Sequence, residues 1–152
     1  MEALNTLLNK LNIKDKINQS LITKLYTDLS ASDMDRNSKE IVVSILYTHI
    51  IYGIPITYLS ILLKVNKNAI FDYKKALGIP TTKSTLKRFV DYLAERENIK
   101  IEYDSADNYP AIIAKFSAIK KAKGETYKKN TYGYSLVTLT TYREKQAYNK
   151  KV

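Results

Sequence analysis

Two stretches of this 152-residue chain, 57–77 and 126–146, lie over one another without a gap at an offset of 69 residues. The first reads TYLSILLKVNKNAIFDYKKAL and the second TYKKNTYGYSLVTLTTYREKQ, so Thr57 pairs with Thr126, Tyr58 with Tyr127, Leu63 with Tyr132, Val65 with Tyr134, Ile70 with Leu139 and Tyr73 with Tyr142. Each has the apolar spacing of two short helices joined by a tight turn. Such a helix-turn-helix buries residues from both helices and from the turn, and leaves the outer face of the second helix exposed. In the first stretch the spacing predicts Leu59, Leu63, Val65, Ile70 and Tyr73 inside, with Ser60 small where the helices approach. Asn66, Lys67, Asn68, Phe71, Asp72, Lys74 and Lys75 are then outside. Repetition in register makes an accidental amphipathic hairpin a poorer explanation than a built motif.

The turn positions differ between the two stretches. Gly133 stands where a positive φ is needed, and Ser135 is placed to cap the following helix. Lys64 holds the position equivalent to Gly133, a strained but tolerable choice. Lys128 and Lys129 fall opposite Leu59 and Ser60, so their stems must snorkel outward or the helix must be short.

The flanks repeat as well. An apolar helix over 37–52 (Ile41, Val42, Ile45, Leu46, Ile50) precedes the first stretch, and one over 108–123 (Ile112, Ile113, Phe116, Ile119) precedes the second. Leu21, Ile22 and Leu25 correspond in the same way to Phe89, Val90 and Leu93. The expected architecture is all-α: two helical repeats, 1–79 and 80–152, each ending in a helix-turn-helix. Helices are expected over 2–12, 15–30, 38–52, 56–63, 67–77, 84–97, 109–123, 125–132 and 136–148. Asn37 and Glu40 have capping-box spacing, Ser84 or Thr85 is placed to cap the sixth helix, and Pro110 suits a first turn. The segment GIPTT at 78–82 is the expected joint, and IKIEYDS at 99–105 is expected to form a brief strand.

Charge points to a polyanionic partner. The chain carries 25 Lys/Arg against 15 Asp/Glu, a net charge of +10. Residues 1–80 contribute ten basic and seven acidic groups, whereas 81–152 contribute fifteen and eight, so the excess lies in the second repeat. Lys115, Lys120, Lys121, Lys123, Lys128 and Lys129 crowd the approach to the second motif as candidate phosphate clamps. Each alone is an ordinary solvated lysine; their crowding beside a motif favours backbone contacts. Tyrosine is abundant, 13 against three phenylalanines and no tryptophan. Aromatics among basic residues can stack on single-stranded bases, but Tyr132, Tyr134 and Tyr142 occupy core positions of the motif, where packing is the better reading.

Catalysis finds little support. The lone His49 lies on an apolar helix and reads as a packed side chain, and no cysteine is present for a thiol nucleophile, a disulfide or a zinc-thiolate site. Asp33, Asp35, Asp104 and Asp107 read as helix starts, and the four glycines as helix punctuation rather than a phosphate cradle. No cofactor or metal is expected. No apolar run reaches the length of a membrane span and no leader pattern opens the chain, so the expectation is a cytoplasmic, nucleoid-associated protein with no membrane partner.

The stretch RNSKEIVVSILYTHIIYGIPITYLSILLKVNKNAIFDYKKAL resembles the later helices of a cyclin-like repeat of archaeal transcription factor B, in which an apolar helix, a G-(I/V)-P turn and a helix-turn-helix follow in order. The chain is also similar in size, basicity and repetition to crenarchaeal tandem helix-turn-helix proteins that bind CRISPR repeats. These resemblances imply a transcription or repeat-binding regulator, and the scarcity of glutamine and cysteine beside abundant Lys, Ile and Tyr suits a hyperthermophilic archaeon or its virus. From the residues themselves, double-stranded DNA is the expected partner, with Asn66, Lys67, Asn68, Phe71, Lys74 and Lys75 of the first motif and Ser135, Thr138, Thr141, Arg143 and Lys145 of the second facing it. Lys120, Lys121, Lys123, Lys128 and Lys129 would hold phosphates. The alternatives are a cyclin-like module docking on RNA polymerase or another protein, and a coat that binds DNA without reading it.

Overall fold

The chain is all-helical in a computed structural model that describes residues 1–96, 100–102, 104 and 107–122, the side chains of 96 and 120–122 excepted. It contains α1 (Glu2–Lys10), α2 (Gln19–Asp28), α3 (Arg36–Tyr52), α4 (Ile56–Leu63), α5 (Lys67–Ala76), α6 (Lys83–Arg96) and α7 (Tyr109–Ala122), with no strand among the described residues. The chain divides into two compact units, Met1–Pro80 and Thr81–Val152.

Helix α3 is the centre of the first unit and touches α1, α2, α4 and α5. Its sequence explains how it can be surrounded. Val42, Val43, Ile45, Leu46 and Tyr47 are apolar or nearly so, and the intervening Ser44 and Thr48 hide their hydroxyls by donating to the carbonyls of Glu40 (2.7 Å) and Ser44 (2.8 Å). Backbone carbonyls one turn earlier thus satisfy polar side chains that would otherwise be costly to bury. Tyr47 turns its hydroxyl to accept from the Asn18 amide at 2.8 Å, which ties α3 to the residue that caps α2. Around α3 the core is filled by Leu4, Leu7, Leu11, Ile22, Leu25, Ile54, Ile56 and Leu59. Each such side chain contributes roughly 1.5–3 kcal/mol on burial.

The helix starts depart from expectation in three places. α3 is capped not by Asn37 but by Asp35, whose Oδ1 accepts from the Ser38 amide at 2.7 Å and whose carboxyl is held below its ordinary range by that bond. Glu40, the expected capping-box partner, instead accepts from the Ala3 amide at 3.0 Å and so caps α1 across space. A carboxylate there meets the positive end of the α1 dipole. α2 begins at Gln19 rather than near 15, because Asn18 accepts from the Leu21 amide at 3.2 Å. α6 is capped by Thr82: its Oγ1 accepts from the Thr85 amide, and Thr85 Oγ1 accepts from the Thr82 amide. This is a capping box built from two threonines.

The second unit is built on α6 and α7, where Leu86, Phe89, Val90, Tyr92, Leu93, Ile112, Ile113 and Phe116 are buried. Phe89 of α6 meets Tyr109 of α7 edge to face, ring centroids 5.6 Å apart. α7 opens at Tyr109 with Pro110 in its first turn, as its sequence predicts, but its cap is Asn108, which accepts from the Ala111 amide, while Asp107 accepts from the Asp104 amide and Lys115 instead. Residues 100–102 and 104 take no regular structure, so the expected strand does not form there. A strand needs a ladder partner, and this unit offers none among the described residues.

Candidate nucleic-acid interface

Helices α4 and α5 are joined by three residues, Lys64–Asn66, and the chemistry of this turn determines what α5 presents. Lys64 has φ 59° and ψ 43°, the left-handed conformation that its alignment with Gly133 demands. Two bonds follow from it. The Lys64 amide donates to the Ile61 carbonyl and the Val65 amide to the Ser60 carbonyl, the paired pattern that closes a helix C-terminus. Lys10 adds a third closure from α1, its Nζ donating to the Leu62 carbonyl at 3.0 Å. Asn66 then starts α5, its Oδ1 accepting from the Asn68 amide at 2.8 Å. Expected at the interface, Asn66 is exposed, with its amide oxygen already committed to the cap.

α5 ends in the same manner. Gly78, at φ 66°, donates to the Lys75 carbonyl, and Ile79 donates to the Lys74 carbonyl. A side chain at Gly78 would meet nothing within 4 Å, so only the backbone conformation favours glycine there. Lys74 answers Ile79 in return, its Nζ donating to the Ile79 carbonyl at 2.7 Å. This half-buried ammonium is held below the ordinary lysine range by burial. The sequence places Lys74 among the exposed groups; the structure spends its charge on the end of its own helix.

Below this pair His49 is 2% exposed, and its Nδ1 donates to the Ile54 carbonyl at 2.8 Å, bracing the α3–α4 corner across Gly53. Burial lowers its pKa to about 4; the bond to Ile54 opposes that shift and the charge of Lys74 adds to it. The imidazole is therefore neutral near pH 7, as a packed histidine must be.

α5 buries only Ile70. Tyr73, Lys74 and Leu77 are half-buried on either side of it, and Lys67, Asn68, Ala69, Phe71, Asp72, Lys75 and Ala76 are exposed. Asn68, Phe71, Asp72 and Lys75 follow one another at helical spacing along the outer face. The side chain of Phe71 is 41% exposed, and only Met1 is comparable among the large apolar residues described. Phe71, Ile79 and Pro80 line an open depression of about 570 Å³ with Asp72, Lys74, Lys75 and Gly78.

The interior of the pair is broader than the motif spacing implies. Leu59, Ser60 and Ile70 are buried as expected, while Leu63, Val65 and Tyr73 are only half-buried. Ile56, Tyr58 and Leu62 are buried in addition. The signal was present in the segment ITYLSILL, which has no charged residue and only Thr57 and Ser60 among its apolar and aromatic side chains, and so fits a helix enclosed on more than one side.

No protein-family model, curated protein or solved structure matches this chain. What the site can do follows from its own geometry and charges.

The other expected site residues divide by position. Lys115 is committed within its unit, donating to the Glu102 carbonyl at 2.8 Å and to Asp107 Oδ2 at 2.7 Å, a pair that holds the Asp107 carboxyl below its ordinary range. Lys120 and Lys121 lie on the last turns of α7, their side chains outside the described set. Lys123, Lys128, Lys129, Ser135, Thr138, Thr141, Arg143 and Lys145, with the whole second motif, lie outside the described residues.

Proposed function

We propose that the chain is a non-enzymatic protein that binds double-stranded DNA through α5, with the basic second unit adding phosphate contacts. One observation carries this reading: α5 is anchored by a single buried residue and two closed helix ends, and it offers Lys67, Asn68, Phe71 and Lys75 together on an exposed face. An exposed helix of this kind fits the width of a major groove. Asparagine pairs with adenine, lysine with guanine, and an apolar ring packs on a thymine methyl. The net charge of +10 supports the same partner, since each lysine near a phosphate releases a counterion.

Two classes of substitution test the proposal. Lys67→Ala alters which sequences bind, whereas Lys120→Ala or Lys121→Ala weakens binding to all sequences alike and lowers the salt slope by about 1. Fluorescence anisotropy of the full chain on random duplex and on an enriched pool, each at two salt concentrations, measures both. Equal effects from the two classes would count against base reading by α5, and absence of binding at low salt would end the DNA reading.

A second reading is favoured by Phe71 and its depression. An exposed aromatic beside Ile79 and Pro80 suits an anchor in a protein interface. Phe71→Ala separates the two: a DNA reader keeps most of its affinity and loses preference at one base, and a protein-docking module loses its partner.

A further inference from the structure

Asp72 is the one acidic residue on the exposed face of α5. It follows Ile70 by two positions, roughly 200° of helical turn, so it stands opposite the residue that anchors the helix. Any surface laid along the outer face of α5 meets it. No hydrogen bond or ion pair engages the carboxylate among the described residues, although Lys75 lies one turn away. A helix that merely coated phosphates would gain nothing from a negative charge on its outward face.

We infer that Asp72 is a specificity-determining residue of the DNA interface, accepting a hydrogen bond from a cytosine amino group and rejecting the other base edges; this rests on the DNA-binding reading above. The chemistry is selective because a carboxylate can only accept. In the major groove guanine presents two acceptors, N7 and O6, and thymine presents O4 beside a methyl; adenine sets its amino donor beside the N7 acceptor. Cytosine alone presents an amino donor with no acceptor of its own beside it. Phe71, its neighbour on the same exposed face, supplies the complementary apolar contact for a thymine methyl. The carboxylate acts twice: it rewards cytosine at one position and repels the phosphates of every sequence on which that contact is not made.

The test compares the full-length wild type with Asp72→Ala and Asp72→Asn. Each is used to select sites from a random duplex library, and anisotropy titrations then follow on random duplex and on the wild-type site. The wild-type pool should fix a cytosine at one position, and Asp72→Ala should lose that preference alone. Asp72→Ala should bind random duplex roughly threefold more tightly through relief of charge repulsion, while its ratio of specific to random affinity falls about 10-fold. Asp72→Asn, which both donates and accepts, should shift the preference toward adenine. Because the side chain is exposed, thermal unfolding of the variants should match the wild type, which excludes misfolding as the cause. An equal gain on both duplexes, or an unchanged selected site, overturns the role of Asp72 and leaves DNA binding standing. Failure of the wild type itself to bind any duplex overturns the inference together with the reading it rests on.

Discussion

Helix α3 buries eight consecutive residues, from Val42 to His49, whereas α5 buries Ile70 alone, although the two helices touch within one unit. Their sequences show why. α3 has no charged residue after Glu40, and Ser44, Thr48 and His49 within its buried run each bond a backbone carbonyl, although His49 Nε2 is buried without a partner among the described residues. α5 spreads Lys67, Asn68, Asp72, Lys74 and Lys75 around a single apolar stripe, a pattern that no core can enclose. α3 organises the unit; α5 is held by it and turned outward. A surface freed from packing duty is one on which residue identity can serve recognition.

The contrast is broken most directly by truncating one side chain on each helix. Ile45 is fully buried at the centre of α3, so Ile45→Ala should cost about 3 kcal/mol in urea unfolding. Phe71→Ala on α5 should stay within about 0.5 kcal/mol of wild type. A loss above about 1 kcal/mol for Phe71→Ala would mean that its ring packs on the fold, and α5 could no longer be called a displayed helix.

Acid should expose the same asymmetry. The pKa of His49 is lowered from 6.5 to about 4 in the fold, so between those values the unfolded chain takes up a proton that the native state refuses. Stability is therefore fully present above pH 6.5 and is lost as pH falls toward 4, by roughly 3 kcal/mol. Asp35 and Asp107, whose carboxyls are held below 3.8, act in a lower window. His49→Asn, which keeps a donor for Ile54, should flatten the curve between pH 4 and 6.5 in denaturant titrations. A curve of unchanged slope would assign the acid sensitivity to some other group.

Much of this fold was legible because helix punctuation is local. Gly53 and Gly78 end α3 and α5, and Lys64 adopts the positive φ that its register requires, all readable from a few neighbouring residues. The starts were less legible, since 33–40 and 81–85 each offer several capping side chains and the choice depends on partners elsewhere: Glu40 is drawn to α1, which leaves Asp35 to cap α3. At the candidate interface, spacing correctly placed Lys67, Asn68, Phe71, Asp72 and Lys75 outside. It misplaced Lys74 because that residue borders the buried stripe, and its fate was decided by the Ile79 carbonyl brought back by the turn at Gly78.

Lys74 and Lys75 are adjacent and alike in sequence, and they sharpen the comparison further. Lys74→Ala removes the charged bond to Ile79 and should cost about 1 kcal/mol, at the low end for such bonds because the group is partly solvated. Lys75→Ala should leave stability within about 0.5 kcal/mol and instead weaken DNA binding and its salt dependence. A double-mutant cycle with both readouts would separate a lysine that holds the helix from one that serves the partner. Interchanged effects would reverse the two roles.

The smallest effect lies in the turn that joins the packed part of the unit to the displayed helix. Lys64 is exposed and sits at φ 59°, a conformation that costs a non-glycine residue about 1–2 kcal/mol. Glycine removes that strain but is freer in the unfolded chain, which returns about 0.5–1 kcal/mol. The balance favours glycine, so Lys64→Gly should stabilise the protein by about 0.5 kcal/mol, read as a higher urea midpoint with unchanged slope. The Schellman bonds to Ser60 and Ile61 use only backbone atoms and survive the change. Lys64→Ala separates the two contributions: it keeps the strain while removing the side chain, and should fall below Lys64→Gly. If glycine destabilised the protein while alanine did not, the stiffness of the turn would matter more than its strain. The presentation of α5 would then depend on a residue chosen to restrict the hinge.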